Sequence, residues 1–238
     1  MWRGRGARGR NGPNGLGSGP GRRRRRSVVF DTPANVIARG EHNRVPVIIG
    51  NNDAETNKTA PKTIQTEAQY VATVKALFPV GYDQVLEAYP ASAYPTPRAA
   101  FVALTSDAKF VCGARQAALD LAANQSQAVF RYVFTHVSET LPALVRAAGA
   151  SHALELPYVF RTMNTLPGFT ADAGDEALSL SIQEYWARFA ATGDPNAAGA
   201  PTWPTYTPDD PYVELADPIS VSAGFHLAQC DFWASFAN

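Results

Sequence analysis

The sequence has no long apolar run and few cysteines. No hydrophobic stretch approaches the roughly 20 residues that a membrane-spanning helix needs, so we expect no membrane span. Cys112 and Cys230 are the only cysteines among 238 residues, and taken alone such a pair is typical of buried free thiols. No cluster of histidine, cysteine and acidic residues has the spacing of metal ligands, so we predict no metal and no other cofactor.

Acidic residues are absent before Asp31, whereas nine arginines lie within residues 1–26. The remainder carries 21 − 9 = 12 basic residues against 21 acidic ones, a net charge of −9. The arginine- and glycine-rich leader, residues 1–26, cannot bury an apolar face, so we predict that it is disordered. No apolar segment follows the arginine run 22–26, which argues against a secretory signal, and the acidic body argues against nucleic acid as a partner. We interpret the leader as the product of a GC-rich gene read from a wrong start or in a wrong frame.

A carboxylate follows a predicted buried strand in the first half of the chain. Residues 45–49 are apolar and mostly β-branched, which is typical of such a strand. The strand stops at Gly50, and Glu55 lies in the loop beyond it. In open α/β sheets, catalytic groups collect at this end of the strands.

A histidine occupies a comparable position much later in the chain. His152 follows a Gly-Ala-Ser loop and precedes an apolar run, residues 156–160. A histidine held in this way can exchange protons near neutral pH, although a lone loop histidine is more often structural. An acid followed by a histidine is the order found in the Ser…Asp/Glu…His triad of α/β-hydrolases.

Three blocks of sequence carry a family resemblance: residues 45–55, residues 149–160, and residues 186–196 together with 203–206. In this order they resemble the type-B carboxylesterases and related lipases, which include para-nitrobenzyl esterases and acetylcholinesterase. The resemblance begins at about Asp31, runs to the end of the chain, and covers only the C-terminal half of such an enzyme. It implies that residues 27–238 are the C-terminal part of an α/β-hydrolase fold, with a mixed, mostly parallel sheet flanked by helices.

The resemblance also implies the roles of individual residues. It makes Glu55 the catalytic acid and His152 the catalytic base, with Glu155 as a structural carboxylate and the first substitute for the acid. The family usually has an acidic residue before its catalytic glutamate and a glycine after it, where this chain has Ala54 and Thr56.

The resemblance changes the expectation for the two cysteines. Cys112 and Cys230 lie at positions that form a disulfide in secreted esterases. A disulfide implies an oxidising compartment, so we expect the parent protein to be extracellular.

The serine nucleophile is missing from the sequence. No Gly-x-Ser-x-Gly elbow and no glycine-rich oxyanion loop occurs, and Ser151 is too close to His152 along the chain to reach its ring. We therefore predict a fragment of a carboxylic ester hydrolase that is inactive alone and lacks an N-terminal half carrying the serine. Its substrate would be a small carboxylic ester. The alternative is a non-catalytic binding or adhesion member of the same fold.

The remaining periodicity predicts the other elements. We expect helices over residues 66–77, 82–89 and 178–191, mainly helical structure over 97–124, and strands at 128–135, 212–215 and 219–223. Ser106 or Asp107 is predicted to cap a helix, Leu180 to be buried, and His136 to be a structural residue at the end of a strand.

Overall fold

The computed structural model describes residues 31–236, and the prediction of a disordered leader lies outside the described residues. The strands are β1 (Val47–Asn52), β2 (Val129–Phe134), β3 (Pro211–Leu215) and β4 (Ser220–Ala223). The helices are α1 (Pro33–Ala38), α2 (Glu67–Leu77), α3 (Tyr82–Ala88), α4 (Pro97–Ser106), α5 (Cys112–Asn124), α6 (Ala143–Arg146), α7 (Leu156–Val159), α8 (Ala173–Thr192) and α9 (Leu227–Phe236). Single 3₁₀ turns lie at Ala91–Ala93 and Met163–Thr165.

The four strands form one sheet in the order β1-β2-β3-β4. β1 and β2 run parallel with Ile48 opposite Phe130, β2 and β3 also run parallel, and β4 returns antiparallel to β3. The predicted fold class, a mixed and mostly parallel sheet flanked by helices, is confirmed. The parallel pairing brings the ends of β1 and β2 to the same edge of the sheet.

Strand β2 lies between β1 and β3, and both of its faces are buried. Phe130 and Phe134 face a core that includes Tyr185 of α8 and Trp203. Val129, on the other face, packs with Leu121 of α5. Burial on both faces explains why β2 reads as a nearly continuous apolar and aromatic run.

Residues 97–124 are helical without a break. Thr96 caps α4 by accepting a hydrogen bond from the Ala99 amide, and a π-helical turn, Asp107–Val111, joins α4 to α5. The prediction that Ser106 or Asp107 caps a new helix is wrong, because the backbone never leaves the helical conformation there. The Asp107 carboxylate is instead buried against other side chains.

Helix α8 begins five residues earlier than the pattern predicted. Asp172 and Asp175 form a reciprocal capping box, and the helix ends at Gly193 with φ of 80°. Leu180 is 49% exposed, so its predicted burial is wrong.

The C-terminal helix is joined covalently to the start of α5. Cys112 and Cys230 form a disulfide, and they are 118 positions apart in sequence. Cys230 is buried, and the aromatic residues Phe232 and Trp233 of α9 pack on the cluster formed by α2, α3 and α4. None of the helices among residues 31–236 is long and apolar enough to cross a membrane.

Candidate active site

The structure brings Glu55 and His152 together although they are 97 positions apart in sequence. Nδ1 of His152 donates a hydrogen bond to Oε2 of Glu55 across 2.6 Å. The Glu55 side chain is 7% exposed, whereas that of His152 is 64% exposed. A buried carboxylate thus orients an accessible imidazole, and Nε2 is the ring nitrogen left to exchange a proton.

The loop that carries Glu55 starts at the C-terminal end of β1. Gly50 is required there because a Cβ at this position would collide with the ring and the carbonyl oxygen of Tyr132 on β2. The Asp53 amide continues the strand pairing by donating to the Phe134 carbonyl at 3.1 Å. This pairing fixes the direction in which the chain leaves the sheet towards Glu55.

Backbone hydrogen bonds join the two loops directly. The Ala54 amide donates to the Ala150 carbonyl at 3.0 Å, and the His152 amide donates to the Glu55 carbonyl at 3.2 Å. Gly149, with φ of 62°, turns the histidine loop beside Ala54, and a Cβ there would lie 3.3 Å from the Ala54 Cβ. Ala54, which stands where the family usually has an acidic residue, therefore lies against the histidine loop.

Thr56, the other departure from the family pattern, anchors the acid loop to α4. Its Oγ1 lies 2.6 Å from Oγ1 of Thr105 and donates to the Val102 carbonyl at 3.1 Å. Its amide donates to Oγ of Ser106 at 3.2 Å. These buried hydroxyl groups hold the residue that follows Glu55.

Among the described residues, Glu155 forms no hydrogen bond with the histidine ring. Its Oε2 instead accepts a hydrogen bond from Nδ2 of Asn52 at 2.5 Å. Glu155 therefore lies in a supporting network, which is where the sequence reasoning placed it. Asn52 was missed by that reasoning, and the adjacent pair Asn51–Asn52 at the end of an apolar strand was the signal that could have revealed it.

Phe110 forms a wall beside the histidine. Its ring centroid lies 5.3 Å from that of His152, with the ring planes tilted by 41°. The π-helical turn that contains Phe110 is a form often found at functional sites. Nothing in the sequence pattern distinguished Phe110 from an ordinary core aromatic.

The site concentrates negative charge near an aromatic hydroxyl. Burial, and then the charges of Glu155 and Glu55, raise the pKa of Tyr132 above its ordinary value. Tyr132 therefore keeps its hydroxyl proton at neutral pH.

His136 belongs to a different, structural cluster. Its Nε2 donates to Oδ1 of buried Asp175 at 2.7 Å, and Ser138 and Tyr158 donate to the same carboxylate. Burial by itself would raise the pKa of Asp175, but the hydrogen bonds from Ser138 and His136, together with weaker ones, outweigh it and lower that pKa. The cluster ties the end of β2 to the start of α8.

Two features bear on what the described residues can do. Ser151 is fully buried, and among residues 31–236 its Oγ has no hydrogen-bond partner, so it offers no accessible nucleophile. In the same part of the chain no group of three or more histidine, cysteine or acidic side chains could hold a metal ion. The arrangement of Glu55 and His152 is suited to general acid–base chemistry at an exposed imidazole.

Comparison with known proteins places these residues in a family. A sequence model described as "Carboxylesterase family" matches residues 23–233, so the chain belongs to that family. The chain is 27% identical to Carboxylesterase 4A of Bos taurus over 223 residues and 29% identical to Cocaine esterase of Homo sapiens over 220 residues. These alignments cover 87% and 84% of this chain but 40% and 39% of those proteins.

A shorter alignment shows a higher sequence identity. Over 114 residues, the chain is 39% identical to Acetylcholinesterase of Gallus gallus, covering 45% of this chain and 14% of that protein. Across its longest matches, the chain spans about two fifths of the length of the curated relatives.

Proposed function

We propose that this chain supplies the acid and the histidine of a Ser-His-Glu triad in a carboxylic ester hydrolase. The observation that supports it is the hydrogen bond of 2.6 Å from an exposed imidazole to a buried carboxylate. Membership of the carboxylesterase family supports the assignment to ester hydrolysis at the general level. The substrate is a small carboxylic ester.

The chemistry follows from the orientation of the ring. Glu55 holds the proton on Nδ1 of His152, so Nε2 is the base that takes the proton from a serine hydroxyl as it attacks the ester carbonyl. The same imidazolium then protonates the leaving alcohol, and water hydrolyses the acyl-enzyme with His152 again as base. Glu55 stabilises the imidazolium in both steps.

In this proposal, the serine and the oxyanion-hole donors come from a polypeptide segment outside these 238 residues. No Gly-x-Ser-x-Gly elbow occurs in the sequence, and the chain covers about two fifths of its long relatives. In the described part of the chain, β1 is an edge strand and the His152 ring is largely exposed, as expected of a site that another segment completes. We call the polypeptide that contains both parts the serine-bearing form.

The disulfide supports an exported parent protein. Disulfides persist in oxidising compartments and are rare in the cytosol. The Cys112–Cys230 bond thus favours a protein that matures outside the cytosol.

The first experiment is to sequence the DNA upstream of the codon for Ser27 and to translate it in all frames. We expect a Gly-x-Ser-x-Gly elbow in frame with Asp31.

The second experiment measures activity. The serine-bearing form should hydrolyse para-nitrophenyl acetate, and the 238-residue chain alone should not. Glu55→Gln should lower kcat by about 10⁴-fold through the wrong tautomer, and His152→Gln, which removes the base itself, should lower it at least as much.

A matched control is His42→Gln, which removes a histidine that pairs with the neutral amide of Gln125. Its kcat should stay within about twofold of the wild-type value. Full activity in the His152→Gln variant of the serine-bearing form would overturn the assignment.

A binding or adhesion role on the same fold is the second candidate. The absence of an elbow from the sequence favours it. The Glu55–His152 pair disfavours it, because a binding surface has no need of an imidazole oriented by a buried carboxylate. Finding no elbow in any upstream frame, together with no hydrolysis, would favour this candidate.

A further inference from the structure

Asn52 lies between the two loops of the candidate site. It is the last residue of β1, and it is 1% exposed. Its backbone amide donates to Oε1 of Glu55 at 2.9 Å. Its side-chain Nδ2 donates to the Ser151 carbonyl at 2.9 Å and to Oε2 of Glu155 at 2.5 Å.

Two of these three contacts restrain the pair, one on the acid and one on the histidine loop. The backbone amide occupies one oxygen of Glu55 and leaves the other, Oε2, for Nδ1 of His152. The side-chain amide holds the carbonyl of the residue directly before His152. One buried residue thus fixes the position of both partners in the pair.

We propose that Asn52 is a positioning residue that sets the geometry of the Glu55–His152 pair by clamping the histidine loop to the end of β1. As a statement about catalysis the proposal rests on the proposed function. As a statement about geometry it applies to this chain by itself. Catalytic groups must be held to within about 0.5 Å of their productive positions, and buried hydrogen bonds from rigid elements provide that restraint.

The chemistry of the two acceptors explains why asparagine is suited to this position. A carbonyl oxygen and a carboxylate oxygen both need donors, and a primary amide presents two hydrogens on one planar nitrogen. Because both acceptors need an N–H donor, they also decide that Nδ2 of the amide, and not Oδ1, faces them. Aspartate has the same shape but no donor, and it would place a second carboxylate beside Glu155.

Asn51 provides a matched control from the adjacent position. It is also buried, at 4% exposure, but its Nδ2 donates only locally, to the Asn52 carbonyl at 3.1 Å. Its Oδ1 has no partner among residues 31–236. Asn51→Ala therefore removes a buried amide of the same size from the same strand without releasing the histidine loop.

The first test observes the pair directly in the 238-residue chain that carries Leu144→Lys and Phe160→Lys, two changes at exposed apolar positions, at a concentration at which sedimentation shows it to be monomeric. This double variant is the background for every variant compared below, including the one called wild type at residue 52. The Nδ1 proton of His152, hydrogen-bonded to a carboxylate, should give a downfield resonance in proton NMR. Wild type and Asn51→Ala should both retain it. Asn52→Asp should lose it or broaden it, while the dispersed amide spectrum of a folded chain remains.

Two further variants keep this test decisive. Asn52→Gln retains both donors on a side chain one methylene longer, so its resonance should be intermediate between those of wild type and Asn52→Asp. Asn52→Ala leaves two buried acceptors without a donor, and it serves as the disruptive extreme. An unchanged His152 resonance in a folded Asn52→Asp or Asn52→Ala sample would overturn the proposal. Unfolding of Asn52→Asp and Asn51→Ala to the same extent would also overturn it, because the control would then lose as much as the variant.

The second test uses the serine-bearing form. Asn52→Asp should lower kcat, expressed per active site titrated with an organophosphate, by about 10- to 100-fold, with KM within about twofold of the wild-type value. A purely structural role would lower the titrated fraction or the melting temperature and leave kcat per site unchanged. If the wild-type serine-bearing form is inactive but the NMR effect is present, the proposed function fails and the geometric clamp stands.

Discussion

Nδ1 of His226 donates a hydrogen bond to Oδ1 of Asp107 at 2.7 Å, and these residues are 119 positions apart. His226 immediately precedes α9, and Asp107 begins the π-helical turn that also carries Phe110. Tyr89 donates to the other oxygen of the same carboxylate at 2.8 Å. The pair therefore connects the C-terminal helix to the segment that forms the wall beside His152.

This pair predicts a decrease in stability on the alkaline side of neutrality. Burial alone would lower the pKa of His226, but the hydrogen bond and charge of Asp107, aided by the charge of Asp53, outweigh burial and Arg131 and raise it above 6.5. A raised folded-state pKa stabilises the native state fully below the unfolded value, and this stabilisation is lost as pH rises through the folded value. The free energy of unfolding should therefore fall as pH rises through that range, because the charged imidazole interacts more favourably with the Asp107 carboxylate than the neutral one.

Urea unfolding of wild type and His226→Gln at a series of pH values from 5.5 to about 9 checks this prediction. The two curves should differ most below pH 6.5 and should converge at high pH. His42→Gln, which changes a histidine paired with a neutral amide, should give a curve parallel to wild type. A difference between wild type and His226→Gln that is constant with pH would contradict the titration.

The disulfide predicts a large loss of stability on reduction. Closing a loop of 118 residues restricts the unfolded chain, which corresponds to about 4–5 kcal/mol in the chain-entropy account. Replacing both Cys112 and Cys230 by serine should lower the free energy of unfolding by about that amount. Dithiothreitol should shift the urea midpoint of wild type towards that of the double variant. It should leave the double variant itself unchanged, and a wild-type midpoint insensitive to reductant would count against the bond.

Two glycines should respond to alanine in opposite ways. Gly50→Ala places a Cβ against Tyr132, including its backbone carbonyl, so we expect destabilisation of about 1–3 kcal/mol and a disturbed acid loop. Gly113→Ala in α5 meets no heavy atom within 4 Å, so it should be neutral or should stabilise the chain by up to about 1 kcal/mol. Thermal unfolding of the two variants measures the contrast. Equal melting temperatures of the two variants would contradict a close approach of β1 to Tyr132.

Exposed apolar side chains near the histidine loop predict self-association of the chain alone. Leu144 is 88% exposed and Phe160 is 68% exposed, and β1 is an edge strand of the described sheet. Such surfaces promote aggregation unless another segment covers them. We expect sedimentation velocity to show association at micromolar concentrations, reduced in a Leu144→Lys/Phe160→Lys double variant.

Val80→Lys is the matched control for this experiment, because Val80 is 85% exposed in the connection between α2 and α3. It should leave the association unchanged. A wild-type chain that is monomeric throughout, with a sharp cooperative melt, would argue that residues 31–236 need no covering segment.

Much of the local structure was predictable because its causes are local. The β-branched and aromatic residues of β2 identify a buried strand wherever it lies in the sheet. The α2 capping box, in which Thr66 and Gln69 exchange hydrogen bonds, follows from residues three positions apart. The start of α8 was placed too late because its capping box consists of two aspartates, Asp172 and Asp175, and the apolar periodicity begins only after them.

The candidate site divides in the same way between sequence and tertiary structure. By itself, the sequence determined the strand that precedes Glu55 and the loop that carries His152, because each depends on a short run of residues. Only the tertiary structure decided that Asn52 bonds to both loops, that Phe110 lies against the imidazole, and that Asp107 is buried under His226 instead of capping a helix. These contacts join residues that are distant in sequence, and their partners are set by the parallel pairing of β1 with β2 and by helix packing, which no local pattern encodes.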